Sequence, residues 1–351
     1  MHIGIIGHFG SKESFYDGQT VKTITLYNSL VGRCPQNVQI YKVDTYYVKN
    51  NPIKFCFQFI SCIIKNQKII VLLSKNGRKV LFPILYILSK TFKKKIYHDC
   101  IGGQLANEVE KIAYWRKYVS SFQINWVESR GIVNKLLSLG ISNVVYLPNY
   151  KNLKVLEENK LNRHYEKPYR FVTFSRVMPE KGIEDAINAI VYINSKAGKT
   201  VVKLDIYGII EKGYEERFSE CLERAGTNCT YCGVTPADNS VDVLKKYYLL
   251  LFPTYWKGEG MPGTVIDSYC AGIPVIARYW SFCDEIIDHG ITGYIYDFDK
   301  PEKLVDWIEY AIQNPNEIIG MKKNCLHKAC EYTEEHAINQ IIEQMNIANL
   351  E

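Results

Sequence analysis

Short apolar runs alternate with amphipathic stretches along the whole chain. In the first half, apolar runs predict strands at 2–7, 37–43, 68–73, 95–98, 122–128 and 143–147, starting with His2-Ile3-Gly4-Ile5-Ile6-Gly7. Most are continuous rather than strictly alternating, as strands buried on both faces are. Helical patterns fall between them at 18–32, 76–92, 102–119 and 130–139. This repeated β-α order predicts an open parallel sheet with helices on both faces. Residues 151–167 break the rhythm with Lys151, Lys154, Glu157, Glu158, Lys160 and Arg163, and read as a linker. The order then resumes, with strands at 170–175, 201–207, 229–232, 248–253, 273–277 and 293–297. Helices are expected at 180–196, 211–226, 240–247, 263–271, 301–313 and 315–330. A last helix, 333–349, follows Thr333 as its N-cap and is expected to pack back on the first domain. The pattern therefore predicts two doubly wound, Rossmann-like α/β domains, 1–165 and 166–332. Their ligands are expected beyond the carboxyl ends of the strands, in a cleft that both domains face.

Composition agrees with two ordinary globular domains, at 351 residues, 47% hydrophobic and 23% charged. Charge changes the picture. Residues 1–165 hold 24 Lys and Arg against 9 Asp and Glu, a net +15, whereas 166–351 hold 19 against 28, a net −9. The halves are thus expected to face different partners. The basic half suits an anionic membrane surface or a phosphorylated acceptor, with a generally lysine-rich surface as the plainer reading. The apolar stretch 55–64, bracketed by Lys54 and Lys65, reads either as a buried helix or as one lying in a membrane interface. No apolar run reaches the ~18 residues of a membrane span. The eleven cysteines are scattered, and no signal peptide is expected. A reducing, cytoplasmic setting is expected, with thiols as small core residues.

Two segments carry candidate chemistry. Phe174-Ser175-Arg176-Val177-Met178-Pro179-Glu180-Lys181-Gly182 leaves a strand and opens a helix. Helix N-termini attract phosphate through free N–H groups, and Arg176 and Lys181 add two cations, enough to hold a diphosphate without a metal. The plain alternative is two solvated cations on a loop. Further on, Lys257-Gly258-Glu259-Gly260-Met261-Pro262-Gly263-Thr264 follows Leu249-Leu250-Leu251-Phe252-Pro253, an apolar strand ending in proline, with Asp267 inside the next helix. Glycines permit close approach of backbone to a ligand, Pro262 starts a helix, and carboxylates accept hydrogen bonds from sugar hydroxyls. Taken alone, Asp267 reads as a helix-surface acid.

These two segments, in this order, resemble the retaining glycosyltransferases of the GT-B fold, family 4. Arg176 through Lys181-Gly182 is similar to that family's R-x-x-x-x-K-G, and Glu259-Gly260-Met261-Pro262 to its E-G-F-P. Pro148-Asn149, Tyr207-Gly208, Cys232-Gly233-Val234 and the run from Glu285 through Gly290 to Gly293 resemble further family positions. The resemblance implies that Arg176 and Lys181 bind the donor diphosphate. It implies that Glu259, with the backbone of Gly260, Met261, Pro262, Gly263 and Thr264, holds the transferred sugar. Asp267 stands where the family has a ribose-binding Glu, one methylene longer. Gly208, Gly233 and Val234 fall near the nucleotide. His98, in His98-Asp99 at a strand end, matches a family histidine close to the reacting sugar. Gly7-His8-Phe9-Gly10 and Asp17-Gly18-Gln19-Thr20 resemble the family's first loop, which places Gly10, Gly18 and Gln19 near diphosphate and acceptor.

The activity so implied is transfer of a hexosyl or N-acetylhexosaminyl unit from a nucleotide-diphosphate sugar, with retention, by a front-face route. The expected acceptor is a polyprenyl-diphosphate-linked glycan at the inner membrane face, in surface polysaccharide biosynthesis. No metal and no cofactor are expected, and no nucleic-acid partner. Asp297-Phe298-Asp299 has the D-x-D form of metal-dependent transferases but lies in a strand-to-helix loop and reads as a helix-start cap. Cys229 and Cys232 have redox spacing without a thioredoxin context. Lys93-Lys94-Lys95 lacks interleaved aromatics and reads as a solvated or membrane-facing turn. Two rivals remain, a nucleotide-sugar epimerase on the same fold and a non-catalytic protein that binds nucleotide sugar or a membrane surface.

Overall fold

Parallel ladders take up each apolar run, because a strand buried on both faces has only its neighbours' backbones to satisfy its own. In the computed structural model, residues 1–10, 18–256 and 258–347 are described. They fall into two compact units, Met1–Lys151 with Glu334–Glu351, and Asn152–Thr333.

The first unit runs β1 (His2–Gly7), α1 (Gly18–Arg33), β2 (Gln39–Asp44), α2 (Tyr47–Asn50), α3 (Pro52–Lys65), β3 (Lys68–Val71), α4 (Lys75–Thr91), β4 (Lys95–Asp99), α5 (Leu105–Lys111), α6 (Ala113–Val119), β5 (Ile124–Val127), α7 (Arg130–Ser138) and β6 (Val144–Tyr146). The six strands are parallel in the order β2-β1-β3-β4-β5-β6. Ile3 and Ile5 turn to one face and pack with Leu26 and Leu30 of α1. The opposite face of β1 presents Gly4, and α3 comes so near that a Cβ there would lie 2.3 Å from the Cys62 sulfur. The expected single helix over 102–119 is two, since Ile112 is extended (φ −130°, ψ 101°) and the turn it makes buries Trp115 against Phe82 of α4.

In the second unit come β7 (Tyr169–Phe174), α8 (Ile183–Ala197), β8 (Val202–Tyr207), α9 (Glu215–Ala225), β9 (Cys229–Tyr231), α10 (Ser240–Leu244), β10 (Leu249–Phe252), α11 (Gly263–Cys270), β11 (Val275–Arg278), β12 (Gly293–Tyr296), α12 (Lys303–Gln313) and α13 (Pro315–Ala329). Its parallel order is β12-β11-β10-β7-β8-β9. The four buried residues of β10 divide between two cores: Leu249 and Leu251 join the α8 side, Leu250 and Phe252 the α11 side. That is why this strand reads as an unbroken apolar run.

Residues 152–165, expected to close the first domain, belong to the second unit instead. The Leu156 N–H donates to the Cys270 carbonyl at 2.8 Å, and the Tyr165 hydroxyl to the Tyr247 carbonyl at 3.0 Å. Their charged residues face solvent while Leu153 and Val155 pack inward. The last helix, α14 (Glu334–Gln344), lies in the first unit. There Ala337, Ile338 and Ile341 join the α1 core, and the Gln340 side chain donates to the Tyr146 carbonyl at 2.8 Å.

Candidate functional site

The carboxyl edge of the second sheet gathers three loops, and glycine allows each approach. After β7 the chain turns through Ser175 and Arg176, makes one 3-10 turn at Pro179–Lys181, and enters α8 through Gly182. Gly182 is left-handed (φ +69°), and a Cβ on it would lie 2.1 Å from the carbonyl oxygen of Pro253, just beyond β10. Gly208, just beyond β8, has φ +140°, and a Cβ there would lie 1.8 Å from the Ser175 carbonyl oxygen. Only glycine fits either contact. The Gly208 N–H donates to the Gly233 carbonyl at 2.9 Å, so these two expected donor-side glycines are adjacent, with Val234 exposed next to them.

This convergence joins the two candidate segments. The Lys181 ammonium is ion-paired with the Glu259 carboxylate, with Lys181 16% and Glu259 8% exposed. The Thr254 hydroxyl donates to the same carboxylate oxygen at 3.0 Å. The Tyr255 N–H donates to the Glu180 carbonyl at 2.9 Å, which ties the loop after β10 to the turn that carries Lys181. From the other side the Trp280 indole N–H donates to the Gly260 carbonyl at 3.0 Å, with its ring edge-on to Phe252. Pro262 caps α11, and Gly263 and Thr264 open it. The first amides of a helix have no intrahelical acceptor, so this terminus faces its loop with partial positive charge. Met261 is buried, and the Thr264 hydroxyl is buried without a hydrogen-bond partner.

Two further donor-side candidates lie differently. Arg176 is 46% exposed and its guanidinium comes no nearer than 3.9 Å to Glu211. Asp267 is buried in α11, where it accepts from the Ser240 hydroxyl at 2.9 Å. It is not the helix-surface acid that its isolated position suggests. Lys257 lies outside the described residues.

His98 requires a correction. Its strand-end position predicts an accessible side chain, but it is fully buried on the face of β4 that packs against α4. The ring stands edge-on to Phe82 at 5.0 Å, and Nδ1 lies 3.2 Å from the Asn125 amide oxygen. Burial, then the nearby Arg78 charge, pushes its pKa down to about 3. It is a neutral core histidine, out of reach of a substrate. Asp99 points the other way, into a cluster that no sequence motif announces. The Lys22 ammonium of α1 lies 2.7 Å from Asp99 and 3.1 Å from Glu128, all three buried at the carboxyl ends of β4 and β5. Burial alone would lower the Lys22 pKa, but the two carboxylates more than offset it and keep the ammonium charged. In the first loop Gly10 is left-handed (φ +63°), Gly18 opens α1, and the Gln19 amide donates to the Leu72 carbonyl at 3.2 Å. Asp17 lies outside the described residues.

Among the described residues, no group of three or more His, Cys, Asp or Glu is placed to hold a metal ion. Asp297 pairs with Lys300 at 2.7 Å in solvent rather than capping α12. The described cysteines are free thiols. No helix of the described residues is long and apolar enough to cross a membrane.

Residues 155–329, nearly the whole second unit, match the family described as "Glycosyl transferases group 1". The second unit is similar over nearly its whole length to a group 1 glycosyl transferase domain. The chain thus carries the domain of an enzyme class, the glycosyltransferases. It is 22% identical over 237 residues to an uncharacterized glycosyltransferase of Methanocaldococcus jannaschii, a match spanning 65% of this chain and 57% of that one. It is 28% identical over 167 residues to the GtfA subunit of a UDP-N-acetylglucosamine–peptide N-acetylglucosaminyltransferase of Streptococcus agalactiae, covering 47% of this chain and 31% of the other. The matched region thus spans a little over half of the first relative and about a third of the second. Among solved structures, Anabaena HepE in complex with UDP and glucose superimposes with a TM-score of 0.73 at 13% identity, over 99% of this chain and 100% of HepE. The lipopolysaccharide outer core galactosyltransferase WaaB in its apo form gives 0.70 at 16% identity, over 99% of each chain. These likenesses show the fold, and it is the GT-B class: two doubly wound parallel α/β sheets in one chain.

Proposed function

We propose that this chain transfers a sugar from a nucleotide-diphosphate sugar to a glycan acceptor, with the donor held by the group 1 domain at the carboxyl edge of its sheet. The observation that carries this reading is the meeting of Lys181 and Glu259 beside the N-terminus of α11. An ammonium has three N–H donors and a carboxylate several acceptor sites, so one mutual contact leaves both able to bind a ligand. The Lys181 ammonium and the exposed Arg176 are the cations for the diphosphate. Glu259, steadied by Thr254, accepts from hydroxyls of the sugar, with the amides that open α11 alongside. Asp267, which also accepts from the Ser240 hydroxyl, is the acid for the ribose, and one methylene less than Glu favours a water between them. HepE's complex with UDP and glucose supports the donor class.

In this reading the bond between the anomeric carbon and the β-phosphate oxygen breaks, and negative charge develops on the departing diphosphate. Preorganised cations and a helix N-terminus stabilise that charge without a metal or cofactor. The acceptor hydroxyl bonds to the anomeric carbon on the same face as its proton passes to the departing diphosphate, so the anomeric configuration is retained. The acceptor side falls to the basic first unit, and a lipid-linked glycan at the inner face of the cell membrane suits its charge. WaaB's part in lipopolysaccharide supports an acceptor of surface-polysaccharide type. Lys181→Ala is expected to lower transfer at least ~100-fold, the scale of losing one charge-stabilising donor. The rate should be unchanged in excess EDTA. Near-normal turnover in the variant sinks the diphosphate assignment, and a strict Mn²⁺ requirement sinks the metal-free route.

A further inference from the structure

An uncovered apolar face lies on the first unit. Helix α3 buries only Cys62. On its far side Ile53, Phe57, Ile60 and Ile64 are exposed, with Ile53 at 71%, Phe57 at 73% and Ile64 at 74%. Their spacing of four, three and four residues makes one stripe down the helix. Helix α4 repeats the arrangement: Leu81, Phe82, Leu85 and Leu88 are buried, while Val80, Ile84 and Ile87 are exposed. Both helices cover the same side of the sheet. Cys62 of α3 meets Gly4, and Phe82 of α4 meets His98. Gly4 is in register with Ile69, and Ile69 with Ile96, two residues from His98 on the same face. The two apolar stripes therefore point outward from one side of the unit.

The charge around them has a single sign. Residues 45–98, from before α2 to the last residue but one of β4, contain ten lysines and one arginine and no Asp or Glu, and Asp99, which ends β4, is buried. The arginine, Arg78, is buried against Glu108 and takes no part in the surface. Lys49, Lys54 and Lys65 stand exposed around α3, and Lys79, Lys90 and Lys93 around α4. Next to α4, Tyr86 packs on Tyr118 of α6, with Tyr114 exposed beyond them. Protein–protein interfaces are poor in lysine, whereas a helix with an apolar face and flanking lysines, accompanied by interfacial tyrosines, is what an anionic lipid surface binds. Each lysine near such a surface adds to the attraction, and salt screens it.

We infer that the α3–α4 face docks on an anionic phospholipid bilayer, with the α3 stripe seated among the acyl chains and the lysines at the headgroups. This deepens the membrane part of the proposed function and rests on that part alone, because no step of sugar transfer enters it. The test is flotation of the full chain with vesicles of phosphatidylcholine alone and with added phosphatidylglycerol, at low and high salt, without any nucleotide sugar. Binding is expected to the anionic vesicles and to fall with salt. Phe57→Ser and Ile64→Ser should each weaken it about tenfold or more, the scale of losing one buried apolar side chain. Lys54→Glu with Lys65→Glu should weaken it and flatten its salt dependence. All four positions are exposed, so thermal midpoints should stay at the wild-type value. Equal binding to neutral vesicles, or wild-type binding by Phe57→Ser, overturns the inference. So does a dimer in sedimentation that Phe57→Ser dissociates, with no vesicle binding. Because flotation is read without donor and turnover with a soluble acceptor, failure of one leaves the other standing.

Discussion

Gly182 offers the sharpest link between backbone and site. Replacing it with alanine puts a Cβ in the left-handed region, which costs about 1–2 kcal/mol for an L-residue. The same Cβ would stand 2.1 Å from the oxygen and 2.8 Å from the carbon of the Pro253 carbonyl. Both are backbone atoms, so no side chain can swing away, and overpacking of this kind costs about 1–3 kcal/mol more. The sum is about 2–5 kcal/mol. In a unit of this size, Asn152–Thr333, each kcal/mol moves the midpoint by about 2–4 °C, so a fall of about 4–20 °C is expected. Gly198 supplies the control. It is also left-handed (φ +63°), but a Cβ added there would meet nothing within 4 Å. Gly198→Ala should therefore show only the conformational cost, about 1–2 kcal/mol. The clash at Gly182 is relieved by moving the Lys181 turn off Pro253, which breaks the Tyr255-to-Glu180 bond and draws Lys181 from Glu259. Gly182→Ala should lose nucleoside-diphosphate affinity as well, and Gly198→Ala should keep it. Scanning calorimetry and a nucleotide titration on both variants measure this. Equal destabilisation by the two substitutions, with affinity intact in both, refutes the reasoning.

Two more outcomes follow from the geometry. His98 is held neutral in the fold, with its pKa moved from the ordinary 6.5 down to about 3, so protonation favours the unfolded chain. Its contribution is complete above pH 6.5 and is lost as pH falls from 6.5 toward 3; at pH 5 that is about 2 kcal/mol. Urea unfolding at pH 7 and pH 5 should show His98→Gln losing less on acidification than the wild type, and equal losses would contradict the burial argument. Trp280→Phe keeps the packing on Phe252 but removes the donor to the Gly260 carbonyl, at a cost of about 1 kcal/mol. Donor KM should rise while kcat changes little, and an unchanged KM would show that Trp280 does not position the Glu259 loop.

The sheets were legible in the sequence because strands buried on both faces leave long apolar runs, and β10, with both faces in core, is the clearest of them. The division at 151 was not, because Leu153 and Val155 are two inward residues in a charged stretch. The α3 pattern left buried and interfacial readings open, and only exposure of Ile53, Phe57 and Ile64 separates them. His98 misled because a strand's two faces alternate, so one residue's shift in register separates a core ring from a crevice one, and Asp99 took the other face. The Lys22–Asp99–Glu128 cluster joins residues up to 106 positions apart, with no local signal. Thr254 and Trp280 carry no motif either, since they act on the Glu259 loop through hydrogen bonds that leave no pattern in the sequence.

The most direct measurement incubates the purified chain with single nucleotide-diphosphate sugars and a soluble glycan acceptor, in excess EDTA, and resolves the products. The account predicts that one donor is consumed, with free nucleoside diphosphate and a glycoside of retained anomeric configuration. It also predicts that Lys181→Ala forms both at least ~100-fold more slowly. An intact nucleotide sugar with one inverted carbon, or no consumption of any donor, would contradict it.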